Sequence, residues 1–378
     1  MKRVEVGRRN FGALCGIAVF GVLGLAYMAG AVDTHGAKIG RFRLVHSVRA
    51  ESVWPHGAIS GDGRFVAAVS DKARVWDVRS GRRVATLHCD IGDATVQGIG
   101  LSSTGRYLWS TSGDDGLEGG ELELWDVRLR RRIAVVENAP VGAVTISKDE
   151  SLVAYTMSNR VVVWSIRGRR RIYSEKVAEY SDVALSPRGV FVAFAGPDGV
   201  RVVDVRSKKL AGTVSIRPPG SSGRKGGPST AAVEKGYQDA AHCLLWFSDR
   251  MTLQTLQQTR SDEDGTDVHF RVGATDLLTW RTTWVALPKD RGGNRLSHNA
   301  GRFLAPVGYS MALWGSYGPA PVFNQGDDLL FWDSRSGQLL ERVEGLRLSE
   351  NDEIEGLSDD RSIALVVGSS SVRWYRHE

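Results

Sequence analysis

This sequence predicts an all-β chain of about seven repeats of one four-stranded unit, preceded by a single apolar helix. Three observations predict it. One phrase of turn and strand residues returns along most of the chain; Gly, Asp and Ser clusters punctuate short β-branched and aromatic runs; and the opening stretch carries a long uncharged segment. Across 378 residues, 42% hydrophobic and 24% charged content is ordinary for a globular chain and sets aside a mainly disordered one. A net charge of +6 is too small by itself to imply a nucleic-acid partner, and none is expected.

The uncharged segment comes first. From Phe11 to Val32 no residue is charged, and Lys2, Arg3, Arg8 and Arg9 precede it. At ~1.5 Å per residue a helix over this stretch spans a hydrocarbon core of ~30 Å. The basic flank keeps the N-terminus in the cytoplasm and sends everything after Val32 across the membrane. Residues 1–32 are therefore a signal anchor or a signal peptide. Ala29-Gly30-Ala31 offers an A-x-A cleavage pattern, and Arg8-Arg9-Asn10-Phe11 resembles part of a twin-arginine signal. The apolar run is longer than a usual signal core, which favours an anchor, so both outcomes stand: a tether at the outer side of an inner membrane, or release to the periplasm after Ala31.

The repeats follow. The first reads Ile59-Ser60-Gly61-Asp62-Gly63-Arg64-Phe65-Val66-Ala67-Ala68-Val69, then Ala73-Arg74-Val75-Trp76-Asp77-Val78. The same grammar returns at Leu101-Ser102-Ser103-Thr104-Gly105-Arg106-Tyr107 with Leu124-Trp125-Asp126, and at Ile146-Ser147-Lys148-Asp149 with Val163-Trp164. It returns again at Leu185-Ser186-Pro187-Arg188-Gly189 with Val202-Val203-Asp204, at Leu296-Ser297 through Arg302 with Phe331-Trp332-Asp333, and at Leu357-Ser358-Asp359-Asp360 with Val372-Arg373-Trp374. Each phrase reads as turn, strand, turn, strand, tight hairpin and final strand. The aromatic at the end of the third strand is large enough to fill the wedge between neighbouring units.

Repeats near 40 residues that end in Trp-Asp resemble the WD-repeat β-propeller family, over residues 38–378. That resemblance implies a propeller of about seven four-stranded blades and a role in protein binding. The Gly-His that precedes the first strand in the family is missing from every repeat, so the polar network that His serves there is not carried over.

Between Val203 and Trp332 the interval is too long for one repeat. Residues 215–238, rich in Gly, Pro and Ser, read as an inserted flexible loop. His242–Phe247 and Asp276–Trp284 then read as strands of a blade whose Trp-Asp has decayed to Trp280-Arg281. The last repeat stops after its third strand, while Ile39–His46 alternates like a spare one. Ile39–His46 is therefore expected to pair beside Val372–Arg376, which removes two free sheet edges.

Chemical motifs are sparse. No nucleophile elbow, zinc-protease helix or phosphate loop occurs, and Gly223-Arg224-Lys225 lacks the Gly and the hydroxyl residue a phosphate loop requires. Asp262–Asp267 lacks the closing Glu of a calcium loop and reads as a solvated turn. Cys15, Cys89 and Cys243 form no C-x-x-C, so no catalytic residue, metal or cofactor is expected, and the two later cysteines read as structural thiols.

One feature recurs with the fold. The hairpin after the third strand is basic in successive repeats, giving Arg82 and Arg83, then Arg130, Arg131 and Arg132, then Arg169, Arg170 and Arg171, then Lys208 and Lys209. Equivalent positions gather on one face, either for plain solvation or as a functional field for an anionic membrane surface or an acidic partner. The expectation is a non-catalytic interaction scaffold with an unidentified protein partner. The rival is a periplasmic hydrolase or quinone-dependent oxidoreductase of propeller type, since Trp332–Leu339 also resembles the outer hairpin of quinoprotein propellers.

Overall fold

The computed structural model describes residues 38–49, 56–69, 72–89, 95–113, 120–136, 141–157, 159–177, 182–196, 199–216, 243–248, 250–260, 268–286, 303–307, 310–315, 328–333, 339–344, 346, 348 and 352–378. These residues are all-β. Among them no helix is long and apolar enough to cross a membrane. The segment Phe11–Val32, most of the loop 215–238, and Asp262–Asp267 lie outside them.

Among the described residues twenty-eight strands make five four-stranded sheets and one of eight. The first described strand is β1 (Lys38–Arg49). Sheet one holds β2 (His56–Ile59), β3 (Phe65–Val69), β4 (Ala73–Asp77) and β5 (Arg83–Leu87). Sheet two holds β6 (Thr95–Leu101), β7 (Tyr107–Gly113), β8 (Gly120–Asp126) and β9 (Arg131–Val136). Sheet three follows with β10 (Val141–Ile146), β11 (Leu152–Met157), β12 (Arg160–Ser165) and β13 (Arg170–Lys176). Sheet four has β14 (Val183–Leu185), β15 (Phe191–Gly196), β16 (Gly199–Asp204) and β17 (Lys209–Val214). In sheet five are β18 (Cys243–Phe247), β19 (Thr252–Arg260), β20 (Val268–Asp276) and β21 (Arg281–Ala286). The eight-stranded sheet combines β22 (Phe303–Val307), β23 (Ser310–Gly315), β24 (Asp328–Asp333) and β25 (Leu339–Glu344) with β26 (Glu353–Leu357), β27 (Ile363–Gly368) and β28 (Ser371–His377). Its order, β22-β23-β24-β25-β1-β28-β27-β26, makes β1 the join between two halves, hereafter sheets six and seven.

The middle strands read as continuous apolar runs because both faces are covered. Val66, Ala67, Val75, Val163, Val192, Ala193 and Val202 are fully buried. A half-solvated sheet would alternate; these do not. Cores form between sheets: Val75 and Leu87 with Leu108 and Trp125, Leu152 and Val163 with Val192 and Val203, Val202 with Leu245 and Leu253, and Leu365 and Trp374 with Val66 and Trp76. Phe331 and Val343 pack with Phe42 and Tyr375. The Trp that ends a third strand fills a joint, as the wedge argument requires: Trp76 and Trp374 lie between sheets seven and one, and the Trp374 indole donates to Val78 O at 3.0 Å. Burying each such side chain stabilises by about 1.5–3 kcal/mol.

The innermost strands face a common cavity of about 750 Å³, lined by residues of β2, β6, β10, β14, β18 and β26. Successive sheets around one cavity make a propeller-like arrangement.

Three readings change. The third strand of sheet five ends at Thr275-Asp276, with Asp276 opposite Arg281, so the decayed Trp-Asp is Thr275-Asp276 rather than Trp280-Arg281. Trp280 sits one turn later, in the hairpin. The run Asp276–Trp284 is therefore the end of one strand, a hairpin and most of the next. In sheet six, β22 begins directly after the phrase Leu296–Arg302, where other sheets place their second strand, and the phrase itself lies outside the described residues. Finally, the closing strand pairs later than expected: Phe42–Arg49 run antiparallel to Ser371–His377, while Lys38–Arg41 turn to β25 and pair parallel with Glu341–Glu344.

Candidate binding faces

Strands within each of sheets one to five alternate in direction, so the first-to-second turns and the third-to-fourth hairpins leave by one edge. The second-to-third turns and the sheet-to-sheet connections leave by the other. These edges define a turn face and a connection face.

On the turn face, the inner turns share one hydrogen-bond device. The buried hydroxyl of Ser60 accepts from Phe65 N at 3.0 Å and donates to Asp62 Oδ1 at 2.7 Å, and Asp62 Oδ1 also takes Arg64 N at 3.0 Å. Ser147 with Asp149, and Ser358 with Asp360, repeat it at 2.6 Å each. Accepting those hydroxyl and amide protons outweighs burial and holds the Asp149 and Asp360 carboxyls below the usual 3.8. Sheet two has Thr104 where the Asp would stand, and there Glu150 reaches across from sheet three. Its Oε1 accepts from Ser102 Oγ at 2.7 Å, Thr104 N at 2.9 Å and Thr104 Oγ1 at 2.6 Å. Neighbouring turns are also stapled through backbone: Asp62 N to Ser103 O, Asp149 N to Pro187 O, and Asp359 N to Gly61 O. At the mouth of the cavity, Lys148 Nζ of sheet three pairs with Asp359 Oδ2 of sheet seven at 2.7 Å. Trp109 lines the cavity wall.

The outer hairpins repeat a second device. Asp77 Oδ1 accepts from Ser80 Oγ at 2.7 Å and Ser80 N at 2.8 Å; Asp126 accepts from Leu129 N, Asp204 from Ser207 N, and Asp276 from Leu278 N. These protons hold the Asp77 and Asp204 carboxyls below 3.8. Four residues after the third strand's last position the backbone turns left-handed, at Gly81 (φ 68°), Arg130 (49°), Arg169 (47°), Lys208 (59°) and Trp280 (57°). Only Gly takes that conformation freely.

All ten basic residues expected from the sequence, Arg82, Arg83, Arg130, Arg131, Arg132, Arg169, Arg170, Arg171, Lys208 and Lys209, are exposed at or beside these hairpins. They share a face but not a pocket, since they sit on four separate sheets. Two also serve the fold. Arg132 pairs at 2.6 Å with Glu123, a buried carboxylate that takes the Trp125 indole proton on its other oxygen, and Arg130 donates to Val84 O of sheet one at 3.1 Å.

Sequence reasoning missed the apolar members of the same hairpins. Leu129 is 58% exposed, Leu278 75% and Trp280 36%. Their positions within a hairpin phrase were the available signal, obscured in sheet five by the misassigned Trp. Trp280 lies against β17, where Gly212 leaves it room; a Cβ there would meet the indole at 2.5 Å.

β1 enters from this face as well. It runs parallel to β25 from the hairpin end of that strand, and Phe42 lies opposite His377, where β28 finishes. In sheets one to five the third strand finishes at the outer hairpin.

Among the described residues no three His, Cys, Asp or Glu converge as metal ligands. Burial pushes the Cys89 thiol up to about 11, which suits a packing role. The chain matches no family model and no curated protein.

Proposed function

We propose that this chain is a seven-bladed propeller of the WD-repeat type, exported or membrane-tethered through residues 1–32, that serves as a non-catalytic scaffold for a protein partner. Sheets six and seven count as separate blades, with β1 completing the seventh as its outer strand. The observation that carries the scaffold reading is the division of labour between the two faces. Every inner turn and outer hairpin on the turn face of sheets one to four is short and internally hydrogen-bonded, whereas the strand ends that border the intervals 217–242, 287–302 and 316–327 all lie on the connection face. A ring of sheets whose longest intervals between described strands all open toward one face offers that face for binding. The cationic turn face, from which β1 emerges, supports a tether on that side and a partner on the other.

The test is cross-linked affinity capture of the full chain from membranes, with cross-links mapped by mass spectrometry. A reproducible partner linked to 217–242, 287–302 or 316–327 supports the reading. Capture of bulk membrane protein alone, or links confined to the outer hairpins, removes it.

A further inference from the structure

We propose that the turn face docks flat on an anionic bilayer, with Ile39, Leu129, Leu278 and Trp280 entering the interfacial layer while the hairpin cations meet the headgroups. The proposal deepens the tethered reading and rests on it. The apolar side chains are exposed, Ile39 at 71% and Leu278 at 75%, and stand at three separated places: sheet two, sheet five and the start of β1. Three such places around a ring define a plane. A functional surface for one globular partner gathers its apolar groups into a central patch with a polar rim; here they are scattered among cations, the arrangement of an interfacial membrane surface. An indole suits the headgroup level, where its ring is in the apolar zone and its N–H is wet.

Charge and chain geometry select the same occupant. Arg82, Arg83, Arg169 and Arg170 are exposed, and their guanidinium groups make no ion pair among the described residues, so they are available to phosphates. Only Asp33–Ala37 separate Val32 from Lys38, a reach of roughly 20 Å when extended. With residues 11–32 in the membrane, the face from which β1 emerges is held within that distance of the lipid. A spanning segment would hold the chain at the bilayer by itself, and the basic, partly apolar surface then selects which face lies against the headgroups.

The experiment places a photoreactive benzophenone amino acid at position 278, or at position 369 in the β27–β28 turn on the connection face, in the full chain. Each protein is reconstituted into vesicles of phosphatidylcholine alone or of phosphatidylcholine mixed with phosphatidylglycerol, and lipid adducts are counted by mass spectrometry. Adducts at 278 that increase severalfold with phosphatidylglycerol, and fall in the Arg82→Gln, Arg83→Gln, Arg169→Gln, Arg170→Gln variant, are expected, with few at 369. Equal yields at the two positions, or a yield at 278 indifferent to phosphatidylglycerol, overturn the proposal; the lipid arm decides this even where the variant folds poorly. Carbonate extraction of the same samples separates the two claims: a chain released by carbonate refutes the tether, whatever the adducts show. A discrete protein adduct at 278 in native membranes, without lipid adducts, assigns this face to a protein and also overturns the proposal.

Discussion

Replacing Glu150 by Ala removes the carboxylate on which the second inner turn depends, and the structure sets both the cost and its remedy. One oxygen of Glu150 takes three protons, two of them from hydroxyls. A hydrogen bond to a charged group contributes about 1.5–3 kcal/mol when buried and less when exposed. Ser102 is buried, at 2% exposure, while Thr104 is exposed, so the expected loss is about 2–3 kcal/mol in all. Elsewhere an Asp two residues after the Ser does the same work, as Asp62 does for Ser60 at 2.7 Å. Thr104→Asp should therefore rescue Glu150→Ala by about 1–2 kcal/mol. In the wild-type background the same change sets two carboxylates on one site and should destabilise by about 1–2 kcal/mol. The coupling between the two positions is then about 2–4 kcal/mol, of a sign that additive surface effects do not produce. Guanidinium unfolding of the four proteins, followed by Trp fluorescence, measures it. If Thr104→Asp has the same effect with and without Glu150, the cross-sheet clamp is not what stabilises this turn.

Four further outcomes are expected. Arg169→Gly and Lys208→Gly should each raise stability by about 0.5–1 kcal/mol in thermal melts, because a left-handed side-chain residue costs more than the entropy Gly adds. Gly81→Ala should destabilise, since its Cβ would meet the His46 ring at 2.8 Å. Phe42→Ala should cost about 3–5 kcal/mol, as the ring is buried against Phe331 and Tyr375 at the joint β1 makes. Burial raises the Asp182 carboxyl to about 6, against the lowering effect of Leu245 N and Val183 N. A carboxyl raised on folding favours the folded state below its unfolded value of 3.8, and that contribution is lost as pH rises through about 6. The stability of Asp182→Asn relative to wild type should therefore climb between those pH values in parallel unfolding titrations; a flat difference would place Asp182 in solvent.

The repeated local devices were legible because they are written in consecutive residues. Ser60-Gly61-Asp62 and Trp76-Asp77-Val78 announce a turn and a strand end through side chains that bond their own backbone, and the structure has those turns and strand ends where the phrases lie. Ring closure was legible for the same reason: a sheet lacking its outer strand and a spare strand elsewhere. What failed was recognition by residue type alone. Trp280 matched the motif but not its context, and Thr275-Asp276, which had lost the aromatic, still ends the strand because Asp276 retains its hairpin role. Ser248, whose amide donates to Thr252 O at 3.1 Å, is the inner turn of sheet five one residue short of the phrase. The role of Glu150 was invisible because its partners lie in another sheet; Arg132 was read only as a hairpin cation, because its partner Glu123 shows itself only once β8 and β9 pair. The exposure of Leu129 and Leu278 is equally a tertiary fact: apolar residues in a repeat predict burial until the outer edge of the ring is located.

The position of β1 imposes an order on how the molecule is made. Its antiparallel partner, Ser371–His377, follows every other described strand, and its parallel partner, Leu339–Glu344, is scarcely earlier. A chain synthesised from its N-terminus therefore carries an unpaired strand with Phe42 uncovered until β25 and β28 have been made. Closure pairs the first described strand with the last, a contact of very long sequence separation and so of a slow kind to form. Until it forms, both ends of the ring are open sheet edges, each a template for another nascent copy. Membrane attachment through residues 1–32, as proposed above, would keep that strand local to its own ring.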